Sequence, residues 1–253
     1  MGLGSPVRWG PLPTPMGLRA LRTARGIFSQ KRQGGGRALW RGVVALAQAR
    51  QGSGMGLVED IQACRLCSAR FAATATGHDP RPVVWFRDGG KPGARLLIAG
   101  QAPGARVHVS GRPFTDRSGD RLRDWTGLSE AEFYDQDRVA IVPMAFCFPG
   151  YDAKGSDLPP PAICAATWRG PVMAALGAVP LVLAVGGAAI RWHLGARDVT
   201  GAVADWRGAL GQGLIPLPHP SWRNTGWLKR NPWFEAELLP VLRARVRQVM
   251  DGN

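Results

Sequence analysis

The chain has 253 residues, 45% of them hydrophobic, with 32 Lys and Arg against 18 Asp and Glu for a formal net charge of +14. That is enough apolar material for one substantial core with or without an extension, and no apolar run approaches the roughly 18 to 20 residues that span a membrane, so a soluble globular protein is expected. The start of the chain also lacks the continuous apolar stretch and small-residue cleavage site of a secretory signal.

A positive excess of this size usually points to an acidic partner such as nucleic acid, but its distribution weakens that inference. Residues 1–54 hold nine basic residues and no acidic one, whereas from Met55 onward 23 basic residues face 18 acidic ones. Rich in Gly, Pro and Arg and without a long apolar period, residues 1–54 read as a disordered leader. An Arg-rich, acid-free start can resemble a mitochondrial transit peptide, and an Arg/Gly arm can hold nucleic acid. Met55 directly precedes the first folded pattern, which favours a domain over residues 55–253 and a leader that is absent or inert.

Along that domain, "ARLLIAG" (residues 94–100) is the first strand-like run, followed by a helical "SGDRLRDWTGL" (118–128). "RVAIVPMAF" (138–146) reads as a strand and "PPAICAATWRGPVMAALGA" (160–178) as a helix. "PLVLAVG" (180–186), "GGAAIRWHLG" (186–195) and "LIPLPHP" (214–220) continue the alternation. "NPWFEAELLPVLRARVRQVM" (231–250) closes it as a helix, with Asn231 as its cap and Pro232 at the first helical position. Each apolar run is too short for a typical helix, rich in Val, Ile and Leu, and ended by Gly or Pro, which favours buried strands. Alternating strands and helices predict an α/β fold with a parallel sheet between helical layers, and ligands at the carboxyl ends of its strands.

The loops expected at those ends read "GQAPGARVHVSGRPF", "CFPGYDAKGSDLPPP", "VGG" and "HPSWRNTGWLKRN". In "GQAPG", Gly100 and Gly104 permit a tight turn that can offer backbone N–H groups to an anion or a flat polar ring. The stretch lacks the ending of a P-loop and the spacing of a dinucleotide fingerprint. Phe114, after rigid Pro113, could stack on a base, although a lone Phe is more often core. His219, braced by Pro218 and Pro220, is a candidate donor to developing negative charge. Beyond it, Trp222, Arg223, Trp227, Lys229 and Arg230 could wedge between bases and contact phosphates, the plainer reading being a solvated helix start.

The four cysteines form "CRLC", Cys64 and Cys67, and a separated pair, Cys147 and Cys164. Buried free thiols are one reading; disulfides are disfavoured without an export signal. Zinc could take four thiolates, and one tight pair plus two separated cysteines suits a [4Fe–4S] cluster at least as well.

Taken together, "CRLC", "GQAPGARVHVSGRPFTDRSG", Cys147, Cys164 and "HPSWRN" resemble, in order and spacing, the uracil-DNA glycosylase superfamily, and within it the iron–sulfur type called family 4. The resemblance runs from about Leu57 to the last helix. It implies a three-layer α/β/α fold with a central four-stranded parallel sheet, and a monofunctional enzyme hydrolysing the N-glycosidic bond of uracil or another deaminated base in DNA. It also implies a [4Fe–4S] cluster, or alternatively zinc, on Cys64, Cys67, Cys147 and Cys164. Catalytic roles fall to His219, Gln101 and Asp116, and base binding to Gly100, Ala102, Gly104 and Phe114. Ser221, Trp222, Arg223, Asn224, Lys229 and Arg230 would contact DNA. A monomer in the cytoplasm, working on nucleoid DNA and not on a membrane, is expected.

Two positions depart from the family pattern. Gln101 stands where family 4 has Glu, and an amide can orient water but cannot take its proton; His108, Asp116 or Asp120 could substitute. Pro143 stands where that family reads uracil with Asn, so backbone groups would read the base or the preferred base differs. These departures motivate a second reading, a damaged-DNA-binding module that has lost hydrolysis. A third is an enzyme acting on free nucleosides.

Overall fold

The four apolar runs form strands β1 (Leu96–Ala99), β2 (Val139–Ile141), β3 (Leu181–Val185) and β4 (Leu214–Leu217) of one all-parallel sheet, ordered β2-β1-β3-β4. Every residue of every strand is buried, as continuous Leu, Ile and Val runs require when helices cover both faces. Register is set by pairs such as Ile98 with Ile141 and with Leu183, and Val185 with Leu217. The computed structural model describes residues 56–88 and 93–252, so the leader expected over residues 1–54 lies outside the described residues.

Helices α1 (Leu57–Gln62) and α2 (Ser68–Ala72) precede the sheet, and α3 (Ala105–Ser110), α4 (Arg117–Thr126) and α5 (Glu130–Phe133) lie between β1 and β2. Next come α6 (Ala162–Leu176), α7 (Gly187–Leu194), α8 (Val199–Ala204), α9 (Trp206–Leu210), α10 (Thr225–Arg230) and α11 (Leu239–Asp251). The last of these packs against α4 and β1, α7 packs on β3, α8 and α9 on β4, and α1 on α6. The result is the expected α/β/α arrangement. Residues 83–86 run antiparallel beside β2 through Val83 N–H to Phe146 O at 2.8 Å and a bridge between Trp85 and Ile141, which covers an edge that would otherwise present unpaired backbone. No helix among the described residues is long and apolar enough to cross a membrane.

Some local expectations need correction. The segments read as loops after β1 and β4 contain α3 and α10, helices of six residues each; glycines bound the first and Gly226 interrupts the second, and both are too short for a periodicity search. Asn231 does not cap the last helix: its side-chain amide donates to Trp227 O at 2.8 Å and so closes α10 instead. The expected long helix also begins as a π-turn over Phe234–Leu238 and becomes regular only at Leu239. Pro240 explains it, since its ring would meet the carbonyl four residues back in an unbroken α-helix, and a wider turn absorbs the clash.

Strand order places a switch point between β1 and β3, whose following connections leave in opposite directions, and this is where parallel sheets open a crevice. Carbonyls of Gly100 and Gln101 accept from Met144 and Ala145 at 2.9 and 3.1 Å, so the "GQAPG" turn is held against the continuation of β2. On the other side, Gly186 N–H donates to Leu217 O at 2.9 Å. Gly186 adopts a φ of +82°, a conformation side chains rarely tolerate, so glycine permits the turn after β3 that lies beside His219 after β4.

Candidate active site

At the carboxyl ends of the strands a cavity of about 420 Å³ is lined by Gly100, Gln101, Ala102 and Gly104 from the turn after β1, and by Phe114, Asp116 and Ser118 from the segment leading into α4. Its walls are completed by Ile141 at the end of β2 and Pro143 after it, by Pro149, Asp157 and Leu158 from the loop between the separated cysteines, and by His219, Ser221, Trp222 and Arg223 after β4. All seven residues assigned to catalysis and base binding therefore line one cavity, as do three of the six assigned to DNA. Asn224, Lys229 and Arg230 do not line it. Asn224 donates its amide to His219 O at 2.7 Å and braces the loop from behind, while Lys229 and Arg230 lie exposed at the end of α10.

His219 accepts a hydrogen bond at Nδ1 from the Ser221 backbone N–H, 3.2 Å away. Burial pushes its pKa down, against the opposing charges of Asp116 and Asp157. A neutral imidazole that accepts at Nδ1 carries its proton on Nε2, which makes that nitrogen a donor. Arg121 in turn fixes Ser221 by donating to its carbonyl oxygen at 3.0 Å.

Asp116 caps α4, its Oδ1 accepting from Ser118 and Gly119 N–H at 3.1 and 3.3 Å, so the carboxylate is anchored at the cavity wall. Phe114 places its ring over the first turn: a Cβ on Gly100 would lie 3.7 Å from Phe114 Cζ. Gly119 is required by the same segment, because a Cβ there would overlap the Phe114 carbonyl. Trp222, 73% exposed, stands on a single 3₁₀ turn at the rim with the Arg223 guanidinium 5.8 Å from its ring centre.

The two other substitutes considered for a water-activating base do not line the cavity. His108 lies on the far side of α3 among His78 and Phe148, with ring centres 5.1 and 6.0 Å away, and burial pushes its pKa down. Asp120 pairs with Arg123 at 2.6 Å. Sequence reasoning passed over Asp157, which sits on a turn held by a Tyr151–Asp157 bridge and by Leu158 N–H to Gly150 O at 2.9 Å. Its one signal was membership of a polar loop between two cysteines. Arg169 was also missed: it is 2% exposed, donates to Val142 O at 2.8 Å directly before Pro143, and is pushed down to about 9 by burial.

Cys64, Cys67, Cys147 and Cys164 line a second, small cavity with Phe71, Phe146 and Ile163, and all four are free thiols. Burial, followed by the charges of Cys164, Cys64 and Cys67, pushes the Cys147 thiol up. Burial likewise pushes Cys164 up to about 12, against the Phe146 N–H that donates to its Sγ at 3.4 Å. Among the described residues no three or more His, Cys, Asp or Glu form a group placed to hold a metal ion. Four thiols lining one apolar cavity are a donor set that either a [4Fe–4S] cluster or zinc would take.

A model of the uracil DNA glycosylase superfamily matches residues 87–243, so the chain belongs to this superfamily, whose members are typically DNA glycosylases.

Proposed function

We propose that this member of the uracil DNA glycosylase superfamily is a monofunctional glycosylase that removes uracil or another deaminated base from DNA. The observation that carries the reading is the single cavity that brings Gly100, Phe114 and His219 together behind an exposed Trp222.

An enzyme working on a base must take it out of the stack, and a mispaired deaminated base costs least to extrude. Trp222 would press into the space the base leaves, with Ser221, Arg223, Lys229 and Arg230 on the neighbouring phosphates and Asn224 bracing the loop that carries them. Inside, Phe114 stacks on the ring while the backbone of Gly100, Ala102 and Gly104 meets its polar edge. As the glycosidic bond breaks, its electron pair moves onto the base. The Nε2–H of His219 then donates to the developing oxyanion. Water adds to the sugar carbon; Gln101 orients it, and the Asp116 carboxylate stabilises the sugar cation and receives the proton.

Cys64, Cys67, Cys147 and Cys164 would hold a [4Fe–4S] cluster. When bound, the cluster would supply a covalent clamp between the segment before β1 and the loop carrying Asp157, and a redox-active centre.

A non-catalytic damage-binding module is favoured by one feature, the amide of Gln101 where a proton acceptor would serve hydrolysis. Alkali-sensitive strand scission after incubation with uracil-containing DNA separates the two readings: breaks at the lesion support the glycosylase, and retention of the DNA without breaks supports the binder.

A further inference from the structure

We infer that Tyr134 is a positioning residue for the base-stacking ring, holding Phe114 in a backbone conformation that it would not adopt unaided; this deepens the glycosylase reading and rests on it. Phe114 has a φ of +54° and is the one non-glycine residue with a positive φ among the described residues. A bulky side chain in the left-handed region is strained, and such strain persists only where the surroundings over-determine it. Here they do.

The Tyr134 hydroxyl lies 2.8 Å from Pro113 O and 3.0 Å from Phe114 O, its single hydrogen shared between the two carbonyls flanking the strained φ. Arg123 donates from the same guanidinium nitrogen to Phe114 O and to the Tyr134 hydroxyl, both at 3.3 Å. Gly119 admits the Phe114 carbonyl from the other side. Tyr134 is itself held. Its ring lies under the Arg112 guanidinium, 3.6 Å from the ring centre, and meets Trp85 and Phe133 edge-on at 5.4 and 5.1 Å. Arg112 belongs to the same "GRPF" turn, so the turn grips the tyrosine whose hydroxyl fixes its own phenylalanine.

What this arrangement secures is ring placement. At positive φ the Phe114 ring is over Gly100 and edge-on to Phe133, with ring centres 5.9 Å apart. Relaxing φ to the negative range would redirect the Cα–Cβ bond and carry the ring off the turn that faces the base.

The test is Tyr134→Phe, which keeps the ring and its stacking but loses the hydroxyl, read in two ways. In crystal structures, Y134F should show Phe114 relaxed to negative φ, or split between two conformers, with its ring displaced from Gly100. In single-turnover base release, Y134F should be slower by about tenfold. In an F114A background the same substitution should change the rate by less than about twofold, because there is no ring left to place. The inference is overturned if Y134F keeps Phe114 at positive φ over Gly100, or if it slows both backgrounds equally. If the wild-type protein releases no base from any deaminated substrate, the glycosylase reading fails, and the φ of Phe114 in Y134F still decides the role of Tyr134.

Discussion

The Ser221 N–H donates to Nδ1 of His219 at 3.2 Å, and this bond determines which ring nitrogen can act on a ligand. With Nδ1 an acceptor and burial disfavouring the imidazolium, the ring proton falls on Nε2, the donor left for a ligand. His219→Ala should lower single-turnover base release by about 10² to 10³-fold, the usual cost of a donor to a developing oxyanion. Substrate affinity should fall far less, because the bond strengthens only as charge develops. Equal losses in rate and affinity would show that His219 serves binding alone.

Three histidines are shifted the same way by burial: His108, His219, and His193, which falls to about 2 with Arg169 adding to the effect. Each folded-state pKa lies below its unfolded value near 6.5, so the unfolded chain binds more protons and stability falls as pH drops below about 6.5. The carboxylates Glu132 and Asp135 have depressed values and add to the loss only at lower pH. Urea midpoints should therefore decline between pH 7 and pH 5, and His193→Gln should make that decline shallower. A flat profile over this range would contradict the burial of these rings.

Trp222 is 73% exposed, lines the cavity and contributes nothing to the core, so its removal tests a role in the site apart from the fold. Trp222→Ala should leave thermal stability unchanged and should slow base release from duplex DNA by about tenfold or more, since inserted apolar side chains offset unstacking costs of a few kcal/mol. Release from single strands should change much less. Equal effects on both substrates would remove the wedge role.

For the cysteine site, anaerobically purified protein should be brown and contain iron and acid-labile sulfide. Cys64→Ala should lose the metal and expose the segment before β1 to protease. Colourless protein carrying stoichiometric zinc would replace the cluster by a four-thiolate zinc site.

The sheet was legible because its four strands are continuous apolar runs ended by Gly or Pro, and strands buried on both faces leave no other pattern. The cavity was legible for a related reason: a parallel sheet collects its loops at one edge, so Gly100, Phe114 and His219, far apart in sequence, had to be considered together. What escaped reading depends on contacts between segments. Nothing local marks Asp157 as a wall residue, because its place follows from how the loop between Cys147 and Cys164 folds back over the sheet. Tyr134 reads as an ordinary helix end; its role exists only through the Pro113 and Phe114 carbonyls some twenty residues earlier. The charged run at Lys229 and Arg230 lies exposed at the end of α10, as the plainer reading of a solvated helix has it. Asn231 failed as a cap because side-chain amides can close one helix as well as open the next.

The most direct measurement is base release from defined oligonucleotides carrying uracil, hypoxanthine or xanthine, single-stranded and opposite each normal base, scored by alkali-sensitive scission with H219A in parallel. Breaks at the lesion by the wild-type protein, free base in the supernatant and their near-absence with H219A are expected. Intact strands on every substrate would contradict the proposed hydrolysis.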